Sequence, residues 1–249
     1  MEHWIRYPAE PTDLLLAWQA PSSVPDRARW AVGLLQRVGN DAVFRYLIDP
    51  ELRALNLGRT SIELGQAGFA GYPAFPAKRA PKGGIWEHAL EAFLRRLPPM
   101  SRPDIGAYLE YHRIAPPTQL SKFALLGVTE ARLPSDGFSL VDPLDPALMF
   151  ADVVFEVASF RHYSNLDIRV GQQLELVAEP VNPRDVGAIR VHASGELIGY
   201  VNRLQAATIG TWLRDRLLSC WLVRLNGTTS TPRAYAFLEV RPAHALRAA

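Results

Sequence analysis

The chain is poor in cysteine and lysine, and it lacks any long apolar run. Its single cysteine, Cys220, excludes an internal disulfide framework and a cysteine-based zinc site. Flanked by Leu218, Trp221 and Leu222, Cys220 reads as a small buried apolar residue. No stretch reaches the ~18 apolar residues that a bilayer-spanning helix needs. The longest apolar runs, Phe123–Val128 and Val153–Val157, have the size of core elements. Met1–Pro8 has neither an apolar segment nor a small-residue cleavage site, so no secretory signal and no membrane association are expected, and the cytoplasm is the expected compartment. Phosphate-binding, dinucleotide, zinc-protease and nucleophile-elbow motifs are all missing, so neither a cofactor nor catalysis is expected. Glu87, His88 and Glu91 superficially offer metal ligands, but their spacing beside Trp86 reads as the solvated face of a helix, and no metal is expected.

What the chain does contain is an ordinary globular composition: 249 residues, 48% hydrophobic and 21% charged, with 20 prolines. That length suits one large domain or two smaller ones. The net charge of +2 is too small to identify a polyanionic partner by itself. Lysine occurs only at Lys78, Lys82 and Lys122, so the positive charge of the last hundred residues is carried by arginine. Arginine grips phosphate through a planar fork and stacks on bases, which is compatible with nucleic-acid contact; codon bias explains the same count equally simply.

Two halves separate near the segment Val141–Pro146, whose two prolines among acidic residues favour an extended turn. We expect an α+β protein with domains at 1–148 and 149–249. In the first half, Leu14–Trp18, Ala42–Ile48 and Gly137–Val141 read as strands. Pro25-Asp26 followed by Ala28, Ala31, Leu34 and Leu35 reads as a capped helix. The stripe Trp86, Leu90, Phe93, Leu94 and Leu97 predicts another helix, and Ser101–Leu109 and Pro117–Gly127 two more. Tyr72–Gly84 is a surface loop. In the second half, Val153–Phe160, Leu174–Ala178, Leu218–Leu225 and Tyr235–Val240 read as strands. Ala188–His192 and Glu196–Val201 form a hairpin turning at Ala193-Ser194-Gly195. One amphipathic helix presents Leu204, Ala207, Ile209, Leu213 and Leu217. Such a set suggests a small, partly open β-barrel of six strands with one helix.

The most informative string is Glu-Pro-Val-Asn-Pro-Arg-Asp at Glu179–Asp185, followed by Ala188-Ile189-Arg190-Val191 and Ile198-Gly199-Tyr200-Val201. Pro180 and Pro183 stiffen the loop, and Asn182 and Asp185 can hydrogen-bond its backbone. Gly199 inside a strand marks a bulge or the close approach of another backbone or a ligand. In its order and spacing this pattern, over roughly residues 150–242, resembles the HIRAN family of modules found in DNA remodelling and repair proteins and as isolated bacterial modules. The resemblance implies an OB-like or SH3-like barrel without catalysis that binds single-stranded DNA, notably at a free 3′ end.

Carried over position by position, the resemblance assigns Arg161 and His162 to the terminal nucleotide. It assigns Asn182 and Asp185 to the last sugar and to the shape of the pocket, and Tyr200 and Arg203 to the strand backbone. Arg184 stands where the family places a stacking tyrosine, His162 replaces an aromatic and Val181 replaces a polar residue. Each lost stacking ring is worth about 1–3 kcal/mol. Read from the residues alone, Asn182 and Asp185 equally serve to hold the turn, His162 is equally a strand histidine, and Tyr200 is equally a packing residue.

Residues 12–142 resemble, more faintly, the N-terminal subdomain of HipA-type proteins, through Phe93–Pro99 with Ser101-Arg102-Pro103 and through Pro117–Gly127 before Gly137–Val141. That resemblance implies an interaction domain that docks on a protein partner; the chain has no phosphate-binding loop for a kinase core. Together the two halves read as a DNA-binding or adaptor protein of a bacterial genome-defence or DNA-repair assembly. The alternative is a toxin–antitoxin-like regulator in which both domains bind protein and DNA binding is lost.

Overall fold

The computed structural model describes residues 3–21, 29–116, 118–133, 136–163 and 167–243. The chain folds as two compact units. One comprises Glu10–Ile105 and Leu120–Pro143; the other comprises the segment up to Ala9, Gly106–Gln119 and the chain from Leu144 onward. They are called here the N-terminal and C-terminal units.

In the N-terminal unit β1 (Asp13–Gln19), β2 (Arg29–Val38) and β3 (Asp41–Tyr46) are followed by the short helices α1 (Asp49–Leu55) and α2 (Ser61–Gln66). After these come β4 (Ile85–Trp86) and α3 (Leu90–Leu94). Helix α4 (Ile105–Tyr111) leads into the other unit, and α5 (Lys122–Val128) and β5 (Phe138–Val141) complete this one. The sheet order is β4-β3-β2-β1-β5, antiparallel throughout. Leu14–Trp18 and all of β5 are buried, so both faces of the sheet are covered at this edge. Phe44 is a hub of the core, with the rings of Tyr46, Phe75, Trp86 and Phe93 centred 5.0–5.7 Å away. A Cβ on Gly33 would lie 2.5 Å from the Phe44 ring, so only glycine admits this packing. Asn56, fully buried, gives Nδ2 to the carbonyls of Ala31 and Leu52 and accepts the Ala31 N–H, which ties α1 to β2.

Three expectations in this unit are corrected. Ala31, Leu34 and Leu35 lie in β2, not in a helix, and Pro25, Asp26 and Ala28 fall outside the described residues. Trp30–Leu35 is a wholly apolar run, in which helical spacing is satisfied by default; cross-strand burial against β1 and β3 decided the conformation. Trp86 sits in β4, and the helix of its stripe covers only Leu90–Leu94. His88 has left-handed backbone (φ 53°) and faces Asp41, whose other carboxylate oxygen accepts the Leu90 N–H, so the helix begins after it. Helix α5 starts at Lys122, capped by Ser121, whose hydroxyl accepts the Ala124 N–H, and Pro117 falls outside the described residues.

The C-terminal unit contains β6 (Ala151–Glu156), β7 (Gln173–Ala178), β8 (Ile189–Ala193), β9 (Glu196–Tyr200), α6 (Arg203–Asp215), β10 (Arg216–Thr228) and β11 (Thr231–Pro242). Its antiparallel sheet runs β6-β11-β10-β7-β8-β9. The two outermost strands meet through one bridge: Ala158 N–H to Tyr200 O at 2.7 Å and Tyr200 N–H to Ala158 O at 2.9 Å. The sheet therefore curls toward a barrel without a continuous closing ladder. Gly199 makes the bridge possible, since a Cβ there would meet Ala158 O at 2.5 Å and Val157 Cγ1 at 2.6 Å. The register shift opposite it, between Val191 and His192, is the bulge that a strand glycine signals. Ser194 and Gly195, both with positive φ, make the tight hairpin turn.

Helix α6 buries Leu204, Ala206, Thr208, Ile209 and Trp212. Ala207, expected inside, is exposed, and Leu217 belongs to β10. The rotation follows Trp212, a fully buried ring whose indole N–H reaches the Pro146 carbonyl. The outlying segments are pinned by side chains within this unit. Asp152, 1% exposed, accepts the N–H groups of Arg6 and Tyr7 and pairs with Arg241. Arg224 lies between the rings of Tyr111 and Tyr235, 3.8 and 3.9 Å from their centroids.

Candidate nucleic-acid interface

The sequence-selected residues lie around one end of the curled sheet. Strand β6 stops at Glu156, earlier than the expected Phe160, because Ser159 turns into left-handed backbone at φ 64°. Phe160–His162 then form one 3-10 turn with Phe160 buried beneath it. Arg161 and His162 are both exposed on that turn, so they sit after the strand rather than at its end. Arg161 Nε donates to His162 Nε2 at 3.2 Å. The Ala158–Tyr200 bridge brings this turn beside the end of β9.

The loop between β7 and β8 is closed by Glu179 N–H to Ala188 O at 2.8 Å. Asn182 organises it. Its Oδ1 accepts the N–H groups of Arg184 and Asp185, and its Nδ2 donates to Glu179 Oε2 at 2.7 Å. Asp185 Oδ1 accepts the Gly187 N–H at 2.9 Å. Both residues thus perform the turn-holding role in full view of the geometry. Arg184 is exposed on the loop, and among the described residues its guanidinium has no hydrogen-bond or ion-pair partner.

Glu179 and Arg190 belong to the informative string but were given no role from the sequence, yet they join the loop to the sheet. Arg190 ion-pairs with Glu179, and Arg190 is the cross-strand neighbour of Tyr200. The hydrogen bonds from Arg190 and then Asn182 hold the Glu179 carboxyl down at about 2. The same bond raises the Arg190 guanidinium. Tyr200 is raised, first by burial and then by the negative charge of Glu179, and it is also coupled to Tyr163. Alternation in β8 was the available signal, because Arg190 points opposite to the buried Ile189 and Val191. Arg203 opens α6, half-buried, directly after the Asn202 cap.

Arg161, His162 and Tyr163 on one turn therefore stand beside Tyr200 at the strand end, and Arg184 is carried by the loop that Glu179 ties to β8. The Glu179–Arg190 pair is neutral overall, and Arg161 and Arg184 stand exposed on the turn and the loop. Such a surface offers cationic forks and ring faces to a phosphodiester chain. Among the described residues no group of acidic, histidine and cysteine side chains is arranged to hold a metal, and no helix is long and apolar enough to cross a membrane.

Comparison with known proteins places this end of the molecule in a class. Residues 150–232 match the model of the HIRAN domain, and the chain carries a HIRAN domain there. Among solved structures, the crystal structure of the HIRAN domain of human HLTF is similar at 16% identity, covering 36% of this chain and 74% of that chain with a TM-score of 0.31. No curated protein matches the chain.

Proposed function

We propose that the chain is a non-catalytic nucleic-acid-binding adaptor whose HIRAN domain takes single-stranded DNA or DNA ends. The observation that carries this reading is the exposed pair Arg161 and Arg184, presented from a rigid turn and a self-braced loop at one end of a HIRAN domain. Arg161 and Arg184 grip phosphates, His162 and Tyr200 supply ring surface, and Asn182 and Asp185 act by holding Arg184 in place. Arg203 adds charge near the strand end. The two units divide the work, the N-terminal one docking on a protein partner in the manner of a HipA-type N-terminal subdomain. In this reading the protein serves a cytoplasmic genome-defence or repair assembly.

The test is a titration of fluorescently labelled oligonucleotides. Arg161→Ala is expected to weaken binding about tenfold, the loss of one charge-assisted phosphate contact of ~1.5 kcal/mol. End recognition predicts that a 3′-phosphate oligonucleotide binds more weakly than its 3′-hydroxyl counterpart, and equal binding removes that element. Lack of any binding by the unaltered protein at about 50 mM salt, where phosphate contacts are strong, defeats the reading.

One observation favours a second reading, in which both units bind protein. Val181 and Val186 on the loop are 86% and 79% exposed, an apolar tip where a strand-binding loop gains from polar groups. Stable co-purification with one protein, together with no affinity for oligonucleotides, is its signature.

A further inference from the structure

Among the described residues the arginines of the N-terminal unit fall into two groups. Nine of them have partners. Arg29 and Arg132 hold Glu130, Arg37 holds Glu10, Arg45 holds Glu51 and Arg53 holds Asp49. Arg95 faces Glu91, Arg96 grips Asp136, Arg102 grips Asp104, and Arg59 lies over the Trp30 ring. The loop Pro76–Gly84 is different. Lys78, Arg79 and Lys82 are all exposed there, and among the described residues none has an ion pair, hydrogen bond or ring contact through its side chain. Two of the three lysines in the whole chain lie in this loop, and no Asp or Glu occurs between Leu64 and Trp86.

The loop is also held in shape. Arg79 N–H bonds to Pro76 O at 2.8 Å, Gly84 N–H to Pro81 O at 2.8 Å and Ala80 N–H to Ala77 O at 3.3 Å. Tyr46 anchors its base, its hydroxyl accepting the Tyr72 N–H at 2.7 Å and donating to Phe75 O at 2.6 Å. The aromatic core thus presents three uncompensated charges from a loop of few conformations, which lowers the entropic cost of engaging a polyanion.

We infer that the Pro76–Gly84 loop is a second nucleic-acid contact, in which Lys78, Arg79 and Lys82 bind the phosphodiester backbone without reading bases or ends. The inference rests on the DNA-binding reading of the HIRAN domain and adds to it a contact on the other unit. Phosphate is the matching chemistry, because three closely spaced cations without acidic neighbours suit a ligand carrying repeated single negative charges.

The experiment measures oligonucleotide affinity of the full chain against salt for the unaltered protein, for Lys78→Ala/Arg79→Ala/Lys82→Ala and for Lys78→Arg/Lys82→Arg. Thermal melting confirms that each variant folds. The triple alanine variant is expected to lose about tenfold or more in affinity at low salt, and its log–log salt slope to flatten by about 2, at ~0.7 per phosphate contact on a single strand. The loss is expected to be the same for 3′-hydroxyl and 3′-phosphate ends, and the arginine variant to keep the original slope. An unchanged slope in the triple variant, with Arg161→Ala still weakening binding, overturns the loop contact while leaving the HIRAN reading in place. Loss of affinity in the charge-retaining variant also overturns it. Failure of the unaltered protein to bind any oligonucleotide overturns both.

Discussion

Both units are antiparallel sheets, and they differ in what they do with polar side chains. In the N-terminal unit the sheet is covered, and charged groups that enter it are consumed inside. Arg96, with a side chain 4% exposed, makes a bidentate pair with Asp136 and donates to the carbonyls of Ala131 and Phe138. Glu130 answers Arg29 and Arg132 at once. In the C-terminal unit β8 alternates between buried and partly exposed residues, and the loop and turn at the end of the sheet carry exposed arginines. A charge that closes an internal network reports on architecture, whereas one braced from behind and left in water is available to a ligand.

The sharpest way to break this contrast is to remove an internal cation. Arg96→Met leaves the Asp136 carboxylate without its partner in a largely buried site, and a loss of about 3–5 kcal/mol is expected by urea unfolding. Gly199→Val should rank next, at roughly 3 kcal/mol or more, because its side chain would occupy the space of Ala158 O and Val157. Its effect should include loss of oligonucleotide binding, since the turn bearing Arg161 is held there.

Glu130 provides the pH test. Burial pushes its carboxyl up, but the facing Arg29 and then Arg132 guanidiniums outweigh burial and hold it at about 2, below the usual 4.5. A depressed folded value means that the stabilisation is complete above pH 4.5 and disappears as pH falls from 4.5 toward 2. Glu130→Gln should therefore cost about 2–3 kcal/mol at neutral pH and flatten the acid limb of stability over that window. Glu179 is depressed to the same level by Arg190 and Asn182. Held on the loop between β7 and β8, it should influence that loop locally, visible as faster amide exchange of Arg184 and Asp185 below pH 4.5, with little change in global stability.

Smaller effects belong to the loop itself. Asn182→Ala removes three hydrogen bonds and should cost about 1–2 kcal/mol, as loss of a helix-cap-like side chain does. Arg184→Ala should leave the melting temperature unchanged while weakening oligonucleotide binding. A fall in stability there would place Arg184 among the internal cations and erase the contrast at its centre.

Much of the C-terminal unit was legible because its signals are local. Turn residues at Ser194-Gly195, strand alternation in β8, the glycine of β9 and the proline-braced loop each act within a few residues. The functions of Asn182 and Asp185 were also legible as alternatives, and the geometry shows the turn-holding one. Arg190 and Glu179 stayed hidden because they are eleven residues apart and meet only when β7 and β8 pair. In the N-terminal unit β2 misled because an unbroken apolar run carries no period, and the stripe from Trp86 was cut by an Asp41 side chain distant in sequence.

The sequence by itself determined the β8–β9 hairpin, the HIRAN pattern and the exclusion of an internal disulfide, since these depend on residue type and short spacing. Only the tertiary structure decided that Gly106–Gln119 and the first residues belong with the C-terminal unit, which arginines are neutralised, and that β6 and β9 meet at Ala158 and Tyr200. Those outcomes rest on contacts between residues tens to more than a hundred positions apart, and no local propensity encodes which distant carboxylate, ring or carbonyl a side chain will reach.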